Sequence, residues 1–189
     1  MRQARTLTDK QLRIVLAHCA TRRHAARDRL IVLVSFYAGL RAKEIAAMRI
    51  SDVMGDDGKV RDEFVLAAAQ TKGGKARRVF LNERLQSEIA GYLRTVDPAK
   101  RIGPLFQSQK GSAFSANTLC QLFLNIYSQC DIEGASSHSG RRTFITKLAG
   151  NGVSVRVLAE LAGHASISTT QRYIDVNDGQ MRSAVELIL

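Results

Sequence analysis

Three short segments hold side chains whose types and spacing could handle a phosphate ester. In Ala38-Gly39-Leu40-Arg41-Ala42-Lys43-Glu44, Arg41 follows a glycine break and opens a helix. A helix N-terminus favours anions, and an arginine there adds a two-pronged phosphate donor. The plainer alternative is a surface bridge from Arg41 to Glu44, one turn on. In His138-Ser139-Gly140-Arg141-Arg142, a helical first turn would put His138 and Arg141 on one face. A neutral imidazole beside a fixed guanidinium can exchange a proton while the arginine holds a phosphate. The alternative is a surface histidine near a basic patch. The third segment is Gly163-His164, followed by Tyr173. Taken alone, Tyr173 reads as a half-buried tyrosine closing the core, and His164 as part of a helix cap after Leu161-Ala162.

The elements that must position these residues are mostly helical. Thr8 or Asp9 caps a first short helix. Ala25 to Tyr37 is apolar enough to be buried on most sides, Gly39 stops it, and a short helix from Ala42 to Met48 follows. After a polar loop from Asp52 to Gly58, Phe64-Val65-Leu66 and Arg78-Val79-Phe80-Leu81 read as two strands joined through Thr71-Lys72-Gly73-Gly74-Lys75, whose Gly-Gly suits a hairpin turn. Helices then return. Glu83 to Leu93 is one, and Ser115 caps another bearing Leu119, Leu122, Phe123, Ile126, Tyr127 and Cys130 at helical spacing. Thr143 to Leu148, Ser154 to Ala162 and Ser166 to Tyr173 are shorter. Asn177 or Asp178 caps a last helix with Met181, Ala184, Val185 and Ile188 on one face, and packing of that stripe on its own domain is the slightly favoured expectation. The fold class is mainly α with a small antiparallel β-hairpin insert, in a single domain over 1–189.

Composition limits the partners. The net charge is +11, and residues 1–50 alone carry eleven Lys or Arg against Asp9, Asp28 and Glu44. That surplus favours a polyanion. The seven Phe and four Tyr are not interleaved with the basic residues, so duplex phosphates suit the chain better than stacking on single strands. No apolar run approaches the ~18 residues of a membrane span, and the N-terminus lacks an apolar signal core. Cys19, Cys120 and Cys130 are scattered and form no C-x-x-C pair, which argues against a disulfide framework or a zinc site and for a reducing cytoplasm.

Taken together, Arg41, His138-x-x-Arg141, Gly163-His164 and Tyr173 occur in the order and spacing of the tyrosine recombinases, the phage integrase family. The sequence resembles that family over roughly residues 8–180, through AGLRAKEI, TKGGKARRVFL, HSGRRTF and LAGHASISTTQRYID. The resemblance implies the fold of the family's catalytic domain and a site-specific recombinase that cuts and rejoins double-stranded DNA through a 3′-phosphotyrosyl link. It implies Tyr173 as nucleophile, Arg41 and Arg141 as phosphate clamps, His138 as the proton-handling histidine and His164 as a second histidine on the scissile phosphate. Lys72 matches the hairpin lysine that protonates the leaving oxygen, and Glu44 an acidic position that orients the site. Lys43, Lys75, Arg77 and Arg142 are candidate DNA contacts. Assembly as a tetramer on DNA is a further implication.

The chemistry is coherent with these residue types. A tyrosine oxygen displaces the 5′ oxygen of a phosphodiester and keeps the bond energy for religation. Arginines and a histidine stabilise the charge that gathers on the phosphoryl oxygens. Tyrosine is a weak nucleophile at a solution pKa near ~10, so a base such as His138 is needed. No acidic cluster suits a pair of catalytic metals, so neither metal nor cofactor is expected. The sequence departs from the family in Ser139-Gly140, where Gly140 would loosen the first turn, and in Lys75 as a second hairpin lysine. The family's N-terminal DNA-clamping domain is absent from 1–189, as in a short recombinase or an excised domain. The competing readings are a type IB topoisomerase-like strand transferase and a DNA-binding homologue without catalysis.

Overall fold

A computed structural model describes residues 3–71, 74–97, 101–108, 111–174, 178–186 and 188. Its elements are α1 (Asp9–Ala20), α2 (Ala25–Tyr37), α3 (Ala42–Ala47), α4 (Ile50–Val53), β1 (Glu63–Leu66), β2 (Arg77–Phe80), α5 (Glu83–Thr95), α6 (Ala116–Gln129), α7 (Ser139–Gly150), α8 (Val155–Ala162), α9 (Ile167–Gln171) and α10 (Asp178–Val185). Among the described residues no helix is long and apolar enough to cross a membrane.

Side-chain caps set the helix starts. Thr8 and Gln11 form a reciprocal capping box on α1. Asn82, Ser115 and Ser154 accept backbone N–H groups at the starts of α5, α6 and α8. The apolar run of α2 is buried from Leu30 to Phe36, which makes it the central helix. Helix α7 lies close against it. A Cβ on Gly140 would sit 2.4 Å from Ser35 Oγ and 2.9 Å from the Ser35 carbonyl carbon. Gly140 therefore does not loosen the first turn of α7. It lies inside the helix and lets two backbones approach.

The sheet is one antiparallel pair with Phe64 opposite Val79 and Leu66 opposite Arg77. Phe64, Leu66 and Val79 face the core, while Val65 and Phe80 are exposed. Residues 67–76 join the strands, with a 3-10 turn over Ala68–Gln70 and positive φ at Gly74; Lys72 and Gly73 of the expected Gly-Gly turn lie outside the described residues. At the C-terminus, Met181 is 52%, Val185 65% and Ile188 84% exposed. These members of the last apolar stripe do not pack on their own domain, contrary to the expectation above. Asn177 and the side chain of Ala184 lie outside what is described.

Candidate active site

The site forms around the C-terminal end of α8. Gly163 adopts the left-handed conformation, φ 61°, and the last turn closes through Gly163 N–H to Glu160 O and His164 N–H to Ala159 O, both 2.9 Å. This Schellman closure leaves the final carbonyls of the helix without intrahelical donors at its negative end. Three arginines from three other elements take them in succession. Arg77 Nη1 donates to Leu161 O at 2.9 Å, Arg141 Nη2 to Ala162 O at 2.5 Å, and Arg41 Nη2 to Gly163 O at 3.3 Å.

Each arginine has a second anchor. Arg141 Nη1 donates to Gly39 O at 2.7 Å. Gly39 turns the chain out of α2 at φ 62°, and a Cβ there would strike the Phe144 ring at 2.5 Å. Arg41 precedes α3. Its Nη1 donates to Glu44 Oε1 and its own backbone N–H to Glu44 Oε2, both at 2.8 Å. Arg77 Nη2 donates to that same Oε2 at 2.9 Å. The bridge between Arg41 and Glu44 thus exists, but it is not an ordinary surface pair, because Glu44 is fully buried. Burial alone would raise the Glu44 carboxyl; Arg77's hydrogen bond and charge, with Arg41's, hold it below its usual range. Burial, then repulsion from Arg41, presses the Arg141 guanidinium down to about 9, so it stays charged at neutral pH.

His164 and Tyr173 close the cluster. The His164 ring lies nearly parallel to the half-buried Tyr173 ring, and Nδ1 is 2.7 Å from Oγ1 of the buried Thr170. Which of that pair donates follows the histidine tautomer. Burial, reinforced by Arg141, Arg41 and Arg77, pushes His164 down to about 4 and keeps the ring neutral at pH 7. Tyr173 sits beyond the end of α9, its N–H bonded to Thr170 O at 2.9 Å and its carbonyl accepting from Thr146 Oγ1 at 3.4 Å. The helix expected from Ser166 to Tyr173 therefore stops short of the tyrosine.

The remaining nominated residues are spread more widely. His138 is exposed at the N-cap of α7, one turn before Arg141. Lys72 lies outside the described residues. Lys75 is exposed, and its carbonyl accepts from Thr71 Oγ1 at 2.9 Å, closing the base of the connection. Lys43 Nζ donates to Thr71 O at 3.2 Å, Arg142 Nη1 to Ala4 O at 2.7 Å, and Arg77 joins Glu44 and Leu161, so three of the four candidate DNA contacts are engaged within the protein. Thr170 and the cluster role of Arg77 escaped the sequence reading. A signal for Arg77 existed: two residues before buried Val79, it shares the core-facing side of β2.

The cluster offers a cationic cradle beside a phenol and a neutral imidazole, which is the equipment to hold an anionic ester while an oxygen attacks it. The family model described as the phage integrase family matches residues 5–180. Tyrosine recombinase XerA of Pyrococcus furiosus is 32% identical over 161 residues, covering 85% of this chain and 54% of its own length. The catalytic domain of bacteriophage HP1 integrase superposes with a TM-score of 0.68 at 23% identity, covering 98% of this chain and 96% of that one. XerH recombinase bound to its palindromic difH substrate superposes with a TM-score of 0.71 at 24% identity, covering 95% of this chain and 51% of that one. The chain spans about half the length of the curated relatives it matches. By sequence, fold and the residues gathered at the end of α8, the chain belongs to the phage integrase family of tyrosine recombinases.

Proposed function

We propose that the chain carries the catalytic machinery of a site-specific recombinase acting on double-stranded DNA in the cytoplasm. The observation that supports this most is the gathering of Arg41, Arg141, His164 and Tyr173, from separate elements, around the α8 C-terminus. Tyr173 Oη attacks the phosphorus in line. The phosphorus–Oη bond forms as the bond to the 5′ oxygen breaks, and the phosphate is left 3′-linked to tyrosine. His138 takes the phenolic proton, and Lys72 supplies one to the leaving 5′ oxygen. Arg41 and Arg141 hold the non-bridging oxygens. Neutral His164 donates a third hydrogen bond to them, fixed in orientation by Thr170. Attack by another 5′ hydroxyl reverses these steps and joins a new strand without an external energy source.

Copies assemble on DNA, and the uncovered apolar side of α10 suits docking on a neighbour. A topoisomerase-like transferase would share the chemistry, but the XerA relative is a recombinase by name. The test is covalent capture from a pool of nicked duplexes randomised around the nick. The wild type should form denaturant-resistant adducts, whereas Tyr173→Phe should bind duplex and form none. Absence of any wild-type adduct across the pool would refute the proposal.

A further inference from the structure

Arg77 lies on β2, outside the segments that supply the nucleophile and the phosphate-clamping arginines. Its side chain is 9% exposed, and Nη2 and Nη1 donate inside the protein, to Glu44 Oε2 and Leu161 O, while the buried Nε has no partner among the described residues. Gly163 makes room for it, since a Cβ at 163 would stand 2.4 Å from Arg77 Cδ. The same carboxylate that Arg77 holds also receives the side chain and the backbone N–H of Arg41. One side chain thus spans the strand that closes the lysine-bearing connection, the carboxylate that aims Arg41, and the helix end that presents His164.

We infer that Arg77 is a positioning residue of the recombination reaction: it fixes Glu44 and the α8 C-terminus relative to β2, so that Arg41 and His164 meet the scissile phosphate in register. The inference rests on the reading of the site given above. A direct DNA contact is what a basic residue on this strand would otherwise supply, and the two roles separate cleanly. A residue that binds a phosphate contributes to affinity and to its salt dependence. A residue that acts through Glu44 contributes to the rate on bound DNA. A misplacement of about 1 Å from such a position can cost about a hundredfold in rate.

Charge adds a signature that loss of packing would not produce. Glu44 faces Arg41 from the start of α3, Arg77 from β2, Arg141 from α7 and His164 from beyond α8. Removing Arg77 takes away the largest influence that opposes burial, so the carboxyl moves upward.

The variant is Arg77→Met, with Arg77→Lys as a second probe in case the first does not fold. Affinity for a duplex of arbitrary sequence and its salt slope should match the wild type. The rate of adduct formation at saturating DNA, on a nicked duplex recovered by covalent capture, should fall about a hundredfold. That rate should also acquire a new decline towards acid pH, and the double variant Glu44→Gln/Arg77→Met should lack the decline. Weakened affinity, with the salt slope reduced by about one and an unchanged rate on bound DNA, would overturn the inference in favour of a phosphate contact. If the wild type forms no adduct, the recombinase reading fails by itself. The Glu44 carboxyl, followed by carbon-13 NMR, then tests the structural half of the inference by itself: an upward shift in Arg77→Met supports the hold of Arg77 on Glu44, and an unmoved titration refutes it.

Discussion

The His164 and Tyr173 rings stand 5.9 Å apart between centroids, with their planes 17° from parallel. The eight residues between them turn through α9, where Thr170 meets His164 Nδ1 and its carbonyl also accepts the Tyr173 backbone N–H. One threonine therefore holds the imidazole through its hydroxyl and the Tyr173 backbone through its carbonyl.

The first prediction concerns that imidazole. The folded chain holds His164 neutral down to about pH 4, whereas an unfolded histidine titrates near 6.5. Its contribution to stability is therefore complete above about pH 6.5 and is lost as the pH falls towards 4. Nitrogen-15 NMR of the free chain should show a neutral ring at pH 6, and addition of duplex DNA should raise its pKa because a phosphate favours the charged form. Thr170→Val should slow adduct formation roughly ten- to a hundredfold without changing duplex affinity. A ring titrating near 6.5 in the free chain would contradict this.

The second concerns Arg141. A lysine there cannot reach Gly39 O and Ala162 O together, and burial would strip charge from an ammonium more readily than from a guanidinium. Arg141→Lys should cost about 2 kcal/mol in urea unfolding, the size of a lost charge-assisted hydrogen bond. Cleavage should fall about a hundredfold or more. Unchanged stability would mean that the two carbonyls do not anchor this side chain.

Taken one at a time the segments of this site were only weakly legible, and their roles came from the resemblance across all of them. Arg41 after Gly39, the His138-to-Arg141 spacing and Gly163-His164 are each set by one turn or one helix end. Pairings between distant segments were not legible. Nothing around position 77 announces Glu44 or Leu161 as partners, and basic residues on a strand read naturally as DNA contacts. Gly140 misled for the same reason: its propensity loosens a helix, but the fold uses its missing Cβ to seat α7 on Ser35. The apolar stripe of α10 was visible, yet sequence alone could not tell what covers it.

That stripe gives the third prediction. Because Met181, Val185 and Ile188 are exposed, deleting residues 180–189 should leave the thermal midpoint of the monomer unchanged while reducing assembly on DNA, as read by analytical ultracentrifugation with duplex present. A lowered midpoint with intact assembly would return the helix to its own domain.

The fourth separates the two hairpin lysines. A bridging 5′ sulfur leaves as a thiolate and needs no proton. Lys72→Ala should be slow on ordinary DNA and largely rescued on the sulfur substrate. Lys75→Ala should be mild on both, and Arg141→Ala slow on both, since charge stabilisation is not replaced by a better leaving group. Rescue of Lys75→Ala in place of Lys72→Ala would transfer the general acid to Lys75.

The central claim is that Tyr173 carries the DNA strand. Mass spectrometry of peptides from the captured adduct tests it directly. The account predicts a nucleotide joined through its 3′ phosphate to the tyrosine of the peptide containing Gln171-Arg172-Tyr173. A link on any other residue, or an adduct that persists in Tyr173→Phe, would contradict it.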